Sequence, residues 1–228
     1  LLVVANTNDK SIGTSCRFDM LRIQETFTDI TEYLGIGFSV DTIAGDRFNK
    51  KNVIGAVEQL RGSPADILVF YYSGHGFRKL TDKRKFPYLE LRGRGEKDYM
   101  TNSMNIEDVY KMLLGNTKAR LKLVISDCCN AEVTATNTEG TPVSRKKSSG
   151  FVWDEKNIKQ LFFNSRKAIL VTSADMGQLA AGNKRFGGFF SYFFKSSLEN
   201  HFSILKKNVT WDQVLQEAKK QTIKKAEN

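Results

Sequence analysis

The stretch that decides the fold is LKLVISDCCN, residues 121–130. An aliphatic run of this length that stops at an acid and two thiols is typical of a buried strand followed by a turn. In open α/β sheets, ligands bind just beyond the carboxyl ends of such strands. We therefore expect the thiols of Cys128 and Cys129 to lie where the chemistry takes place. The alternative is a pair of core cysteines, since this residue type is often buried.

A second predicted strand, residues 66–72 (DILVFYY), carries a histidine just beyond its end. The sequence SGHG follows it, and His75 in this motif precedes Cys129 by 54 positions. A thiol is a good nucleophile only as a thiolate, and a neighbouring imidazole can take its proton. Because successive residues that leave a strand point in opposite directions, only one of the two thiols is expected to face His75.

The rest of the chain alternates strands with amphipathic helices. Helices are predicted at residues 16–34, 49–60, 104–114, 189–198 and 210–223, and further strands at residues 1–6, 38–43, 88–91 and 168–172. Ser103 is expected to cap the third helix and Gly115 to end it. Arg22 is expected to face the solvent. The alternation predicts an α/β fold with a mostly parallel central sheet flanked by helices on both faces.

The composition points to one globular domain with free thiols. A chain of 228 residues is long enough for a full hydrophobic core. Three cysteines, two of them adjacent, make a poor disulfide framework. No apolar run approaches the ~18 residues that a membrane helix requires, so no membrane partner is expected. Because Leu1 begins within a predicted strand, we expect a preceding segment to have been removed, which leaves the compartment open between cytoplasmic and, with a signal peptide, secreted or periplasmic.

The net charge of +10 raises the question of a nucleic-acid partner, because clustered Lys and Arg neutralise phosphates. The basic residues fall in predicted loops, at residues 78–85, 92–97 and 145–147, and on the last helix. They are not interleaved with aromatic side chains that could stack on bases. We therefore expect a solvated basic surface without a nucleic-acid partner, on a protein that is a monomer.

The motif SGHG after an aromatic-rich strand, followed by Asp-x-Cys after an aliphatic strand, resembles the caspase-fold cysteine peptidases. Among them the chain is most similar to metacaspases and their bacterial relatives, which suggests a bacterial origin. The resemblance implies a caspase-like three-layer sandwich with Cys129 as nucleophile and His75 as general base. It also implies that the backbone amides of Gly76 and Cys129 hold the oxyanion. Many metacaspases have His-Ser-Gly after the cysteine, whereas this chain has Asn130 there.

Substrate specificity is predicted from Asp127, two positions before the expected nucleophile. A carboxylate in a partly desolvated pocket attracts Arg or Lys and repels Asp. The resemblance to metacaspases adds Cys16, Asp19 and Ser73 to this pocket, and Asp175 either joins it or only shapes its own loop. The alternatives are ordinary helix-surface or turn roles for these side chains.

Together these residues predict a cysteine endopeptidase that cuts protein or peptide substrates after Arg or Lys. One alternative is a caspase-like peptidase with acidic specificity, and another is a non-catalytic interaction module of the same fold. A flavodoxin-like binding domain is disfavoured, because no phosphate-cradling glycine loop follows the first strand.

Residues 131–156 are rich in Thr, Ser, Asn and Gly and form a predicted flexible linker. The linker joins a large-subunit-like part, residues 1–130, to a small-subunit-like part, residues 157–228, of one peptidase domain. An enzyme that cuts after Arg or Lys is expected to cut itself at Arg145, Lys146 or Lys147. The alternative is a basic loop that stays intact.

No cofactor and no essential metal are expected. Calcium activates many metacaspases, but this chain shows no cluster of acids spaced like an oxygen cage. Adjacent cysteines also lack the usual spacing of zinc ligands.

Overall fold

A computed structural model describes residues 1–132 and 152–227 of the chain. Its strands are β1 (Leu2–Ala5), β2 (Asp41–Ala44), β3 (Ile67–Ser73), β4 (Gly76–Phe77), β5 (Tyr88–Glu90), β6 (Ser103–Asn105), β7 (Leu121–Asp127), β8 (Lys167–Thr172), β9 (Gly182–Asn183) and β10 (Gly187–Gly188). Its α-helices are α1 (Gly13–Leu34), α2 (Lys50–Gln59), α3 (Ile106–Asn116), α4 (Glu155–Phe162), α5 (Phe189–Phe202) and α6 (Trp211–Ala226), and a 3₁₀ helix spans Gly45–Arg47. None of the described helices is long and apolar enough to span a membrane.

The central sheet has five strands in the order β2-β1-β3-β7-β8, and every neighbouring pair is parallel. Ser73 at the end of β3 pairs with Ala5 of β1 on one side and with Asp127 of β7 on the other. The carboxyl ends of these three strands therefore lie side by side. Residues that follow them in sequence are brought to one edge of the sheet.

Helices cover both faces of the sheet, because side chains alternate along each strand. Val69 and Tyr71 of β3 face a core cluster that includes residues of α1, α4, α5 and α6. Phe70 and Tyr72 face the opposite cluster, which includes residues of α2 and α3. Strands that are buried on both faces are continuous apolar runs in the sequence, so the sequence predicts these central strands clearly. The predicted three-layer α/β sandwich is confirmed.

Two small antiparallel sheets lie outside the central one. β4, β5 and β6 form a three-stranded sheet directly after the histidine motif. β9 and β10 form a hairpin in which Asn183 pairs with Gly187. The hairpin falls in a stretch from which the sequence analysis predicted no element.

The predicted start of the third helix was wrong. Ser103 lies in β6 and donates its hydroxyl hydrogen bond to Met100 O. The N-cap is Asn105, whose side-chain oxygen accepts a hydrogen bond from Glu107 N at 2.9 Å. Gly115 lies within α3 instead of ending it. Serine and asparagine are both good caps, and the pairing of β6 with β5 decides which of them is used.

Two further boundaries differ from expectation. Gly35 ends α1 in the left-handed conformation, with φ of 63°, but β2 begins only at Asp41, where its pairing with Leu2 of β1 starts. At the other boundary, Asp154 caps α4, which begins at Glu155 inside the predicted linker. The expected cleavage residues 145–147 lie outside the described residues.

Candidate active site

β3 and β7 bring His75 and Cys129 to the same edge of the sheet. Ser73 and Asp127 are paired across the two parallel strands. His75 and Cys129 each follow two residues later in the chain, so they leave the sheet at the same level. Both residues line one cleft, with a volume of about 100 Å³.

Two buried acids, Asp19 and Asp127, line this cleft. Cys16, Asp19, Ser73 and Asp127, all expected in the substrate pocket, line the cleft together. Asp19 is 2% exposed and Asp127 is 6% exposed. Burial and the neighbouring charge of Asp127 raise the pKa of Asp19 to about 8. Burial also raises the pKa of Asp127.

The two acids have different partners within the chain. Asp19 forms an ion pair with Arg22 Nη1 at 2.8 Å, and it accepts hydrogen bonds from Gly188 N and from Ser73 Oγ. Asp127 Oδ2 instead accepts from the neutral donors of Ser191, the backbone N at 3.0 Å and Oγ at 2.7 Å. Two acids therefore line the pocket, and one guanidinium lies against Asp19.

Arg22 does not face the solvent as expected. Its side chain is 13% exposed, and it also donates a hydrogen bond to Phe186 O. A position three residues after Asp19 lies on the same face of α1, one turn along. The buried carboxylate holds the guanidinium there, which hydrophobic periodicity alone does not reveal.

The hairpin strand β10 closes one wall of the pocket. A Cβ atom at Gly187 would clash with the carboxylate of Asp19, and one at Gly188 would clash with that of Asp127. Gly187 also has a φ of 81°, in the left-handed region that favours glycine. Glycine at these positions lets the backbone pass directly against both acids.

The Cys129 thiol lies close to the loop that precedes the hairpin. Its Sγ accepts a hydrogen bond from Ala180 N at 3.3 Å, and the residue is 9% exposed. Burial raises the pKa of the Cys129 thiol. A base is therefore needed to form the thiolate, and His75 lines the same cleft.

Cys128 also lines the cleft, but it is the more deeply buried of the two adjacent thiols. It is 2% exposed and belongs to the core cluster that contains residues of α2 and α3, and burial raises the pKa of its thiol. A Cβ atom at Gly76 would lie 2.5 Å from both Cys128 Sγ and Cys129 O. Glycine at position 76 thus allows the two expected oxyanion-binding residues, Gly76 and Cys129, to approach each other.

The loop after Cys129 is held by neighbouring loops. Asn130 is 1% exposed, its backbone N donates to Gln178 O at 2.9 Å, and its side-chain Nδ2 donates to Lys85 O at 3.0 Å. Gly177 N in turn donates to Asn130 O. Asparagine therefore fits this position as a structural anchor.

Asp175 is not brought to the acidic pocket. It lines a second cavity of about 320 Å³, to which β8 and α6 contribute, and its carboxylate lies 3.3 Å from Lys219 Nζ. Its backbone O also accepts a hydrogen bond from Gln178 N. Of the two roles left open for Asp175, the structure fits the shaping of its own loop.

Sequence reasoning missed one acid at the site, Asp9. It lies in the loop after β1, and its Oδ2 is 3.2 Å from His75 Nε2. Nothing in the residue pattern of this loop marked it as part of a site. Its place beyond a strand end is the signal that could have identified it, since β1 pairs directly with β3.

Among residues 1–132 and 152–227, no group of three or more His, Cys, Asp or Glu side chains is arranged to hold a metal ion. At the start of α3, the Asn105 side chain is engaged in capping the helix.

An imidazole and a thiol at adjacent ends of parallel strands, in a sheet covered by helices on both faces, define a caspase-fold cysteine peptidase. A family model described as the caspase domain matches residues 2–225. The chain belongs to this caspase-domain family of cysteine peptidases. A comparison with curated proteins found no match.

Proposed function

We propose that this chain is an endopeptidase that cleaves protein or peptide substrates after Arg or Lys, with Cys129 as nucleophile and His75 as general base. One observation carries the proposal: His75, Cys129 and the buried acids Asp19 and Asp127 line a single cleft. The similarity of the motifs to metacaspases supports the same specificity.

In the proposed reaction, the imidazole of His75 takes the thiol proton of Cys129, and the thiolate attacks the carbonyl carbon of the scissile bond. The oxygen becomes negative and is held by the amides of Gly76 and Cys129, each such donor contributing about 2.7–4 kcal/mol. The imidazolium then protonates the departing amine as the C–N bond breaks. Water hydrolyses the thioester and restores the free thiol.

Charge favours a basic side chain before the cleaved bond. When both acids are ionised, Arg22 balances only one of the carboxylates of Asp19 and Asp127. A substrate Arg or Lys compensates the remaining negative charge in a desolvated pocket, whereas a substrate carboxylate is repelled. This contrast argues against the alternative of acidic specificity.

The test is hydrolysis of matched fluorogenic peptides that end in Arg, Lys or Asp, with calcium and with a chelator. We expect the wild type and Cys128→Ala to cleave after Arg or Lys, and Cys129→Ala to be inactive. Cleavage only after Asp would overturn the pocket assignment. No hydrolysis, together with no labelling of Cys129 by an electrophilic peptide, would support a non-catalytic interaction module instead.

We also propose that the enzyme processes itself in the linker at Arg145, Lys146 or Lys147. The support is chemical: these are the residue types that the proposed pocket accepts, and they follow the proposed nucleophile in sequence. A basic loop that stays intact is the competing proposal.

A further inference from the structure

Asp9 contacts the imidazole of His75 at Nε2, a contact to which the His75–Cys129 dyad alone gives no role. Its Oδ2 lies 3.2 Å from His75 Nε2, and the two side chains are only partly exposed, at 23% and 30%. The contact arises because β1 lies next to β3, so the loop after β1 reaches the histidine motif.

The other oxygen of Asp9 is fixed by its own loop. Oδ1 accepts hydrogen bonds from Ser11 N at 2.8 Å, Ser11 Oγ at 2.7 Å and Ile12 N at 3.0 Å. These donors belong to the turn that leads into α1, so they set the plane of the carboxylate. With Oδ1 held in this way, Oδ2 is directed at the imidazole.

We propose that Asp9 is a positioning residue that extends the His75–Cys129 dyad, an inference that rests on the proposed function. An N–H at Nε2 donates to Oδ2 of Asp9, which leaves Nδ1 as the nitrogen that accepts the thiol proton. When that proton arrives, the carboxylate stabilises the imidazolium without taking up the proton itself. This is how the acid acts in Ser-His-Asp peptidases.

The electrostatic surroundings keep Asp9 ionised. The hydrogen bond from His75 holds the pKa of Asp9 well below its ordinary range. Arg92 also interacts with it: the pKa of Arg92 is raised by its hydrogen bond to Glu90 and, to a lesser degree, by the charge of Asp9. The Cys16 thiol also responds to the charge of Asp9, but chiefly burial raises the pKa of Cys16 to about 12, so this thiol stays neutral.

Two substitutions of Asp9 distinguish a role in positioning the imidazole from a role in stabilising the turn. In Asp9→Asn, the donors of Ser11 and Ile12 keep the amide oxygen in the place of Oδ1. The NH₂ group then takes the place of Oδ2 and is directed at His75 Nε2. The imidazole must then accept at Nε2 and carry its proton on Nδ1, which is the wrong tautomer for taking the thiol proton. Asp9→Ala loses the turn hydrogen bonds but imposes no tautomer.

We expect Asp9→Asn to lower kcat for an Arg peptide at least ~100-fold, and Asp9→Ala to lower it only about tenfold, with KM little changed. Asp9→Glu is expected to recover part of the activity. If the residue served only the turn, the order would reverse: Asp9→Asn would resemble the wild type and Asp9→Ala would be impaired.

A second measurement does not depend on substrate specificity. The rate of Cys129 alkylation by iodoacetamide, followed by peptide mass spectrometry, should fall in Asp9→Asn, and we expect the same fall in His75→Ala. If the wild type cuts no Arg or Lys peptide but Cys129 is still alkylated more slowly in Asp9→Asn than in the wild type, the proposed function is refuted and the role of Asp9 is retained. Wild-type rates of alkylation and turnover in Asp9→Asn would overturn the inference. Urea unfolding of each variant identifies any that is not folded.

Discussion

At the level of single residues, Asp127 is the acid best placed to meet a substrate cation. Its hydrogen bonds come from neutral donors on Ser191 and Ser173, whereas Asp19 forms the direct ion pair with Arg22. Asp127→Asn keeps the shape and an acceptor but removes the charge. We expect kcat/KM for an Arg peptide to fall about 100-fold or more, since leaving one charge of a buried pair uncompensated costs about 3–5 kcal/mol.

The matched substrate for this prediction is a peptide with citrulline in place of Arg, which has the same shape without the charge. Its cleavage should change little between the wild type and Asp127→Asn. An equal loss for both peptides would mean that Asp127 holds the pocket together and does not select charge.

Asp19 leads to a prediction about pH. Because burial and the charge of Asp127 raise the pKa of Asp19 to about 8, this acid is mainly protonated at pH 6 and mainly ionised at pH 9. An ionised pocket binds a cation better, so the preference for Arg over citrulline should increase as pH rises through about 8. In Asp19→Asn this dependence should flatten.

The measurement is the ratio of kcat/KM for the two peptides between pH 6 and pH 9. Ionisation of the Cys129 thiol affects both peptides equally and cancels in the ratio. A wild-type ratio that stays constant over this range would contradict a titrating acid in the pocket.

At the level of elements, strand β10 of the hairpin leaves no room for a side chain beside the two acids. Gly187 and Gly177 both have left-handed backbones, with φ of 81° and 86°. A Cβ atom at Gly187 meets Asp19, whereas one at Gly177 meets no atom within 4 Å. Both alanine variants share the backbone strain, so their difference isolates the steric contact.

We expect Gly187→Ala to lower the free energy of unfolding by about 1–3 kcal/mol more than Gly177→Ala, as is usual for overpacking. Cleavage of Arg peptides should be impaired in the first variant and largely retained in the second. Urea denaturation and kcat/KM measure the two effects. Equal stability of both variants would show that β10 can move away from Asp19.

The sequence predicted elements well where side chains alone determine them. β3 and β7 are continuous apolar runs that end in polar motifs, so the sheet edge at which His75 and Cys129 lie could be inferred. β10 has only two residues, both glycine, and becomes a strand through its contacts with α1 and β9. Arg22 and Asp9 were missed for a related reason, since their contacts involve partners that are distant in sequence or a buried charge.

At the level of the whole molecule, both parts of the chain build the candidate site. His75, Cys129 and the pocket acids come from the part before the linker, whereas Ala180 and Gly188 come from the part after it. β7 and β8 pair along six residues of the central sheet, and α5 packs on α1. A cut between the two parts would therefore leave the sheet, the core and the cleft connected by non-covalent contacts.

Self-processing in the linker can be tested directly. Purified wild-type protein should convert with time into two fragments, cut after Arg145, Lys146 or Lys147, that elute together in size-exclusion chromatography. Cys129→Ala should stay intact, because it lacks the proposed nucleophile, and so should a variant with Arg145→Gln, Lys146→Gln and Lys147→Gln. Mass spectrometry identifies the cut bond. If fully active wild-type enzyme contains only intact chain, self-processing is not part of its maturation; if the fragments separate, the pairing of β7 with β8 does not suffice to hold them.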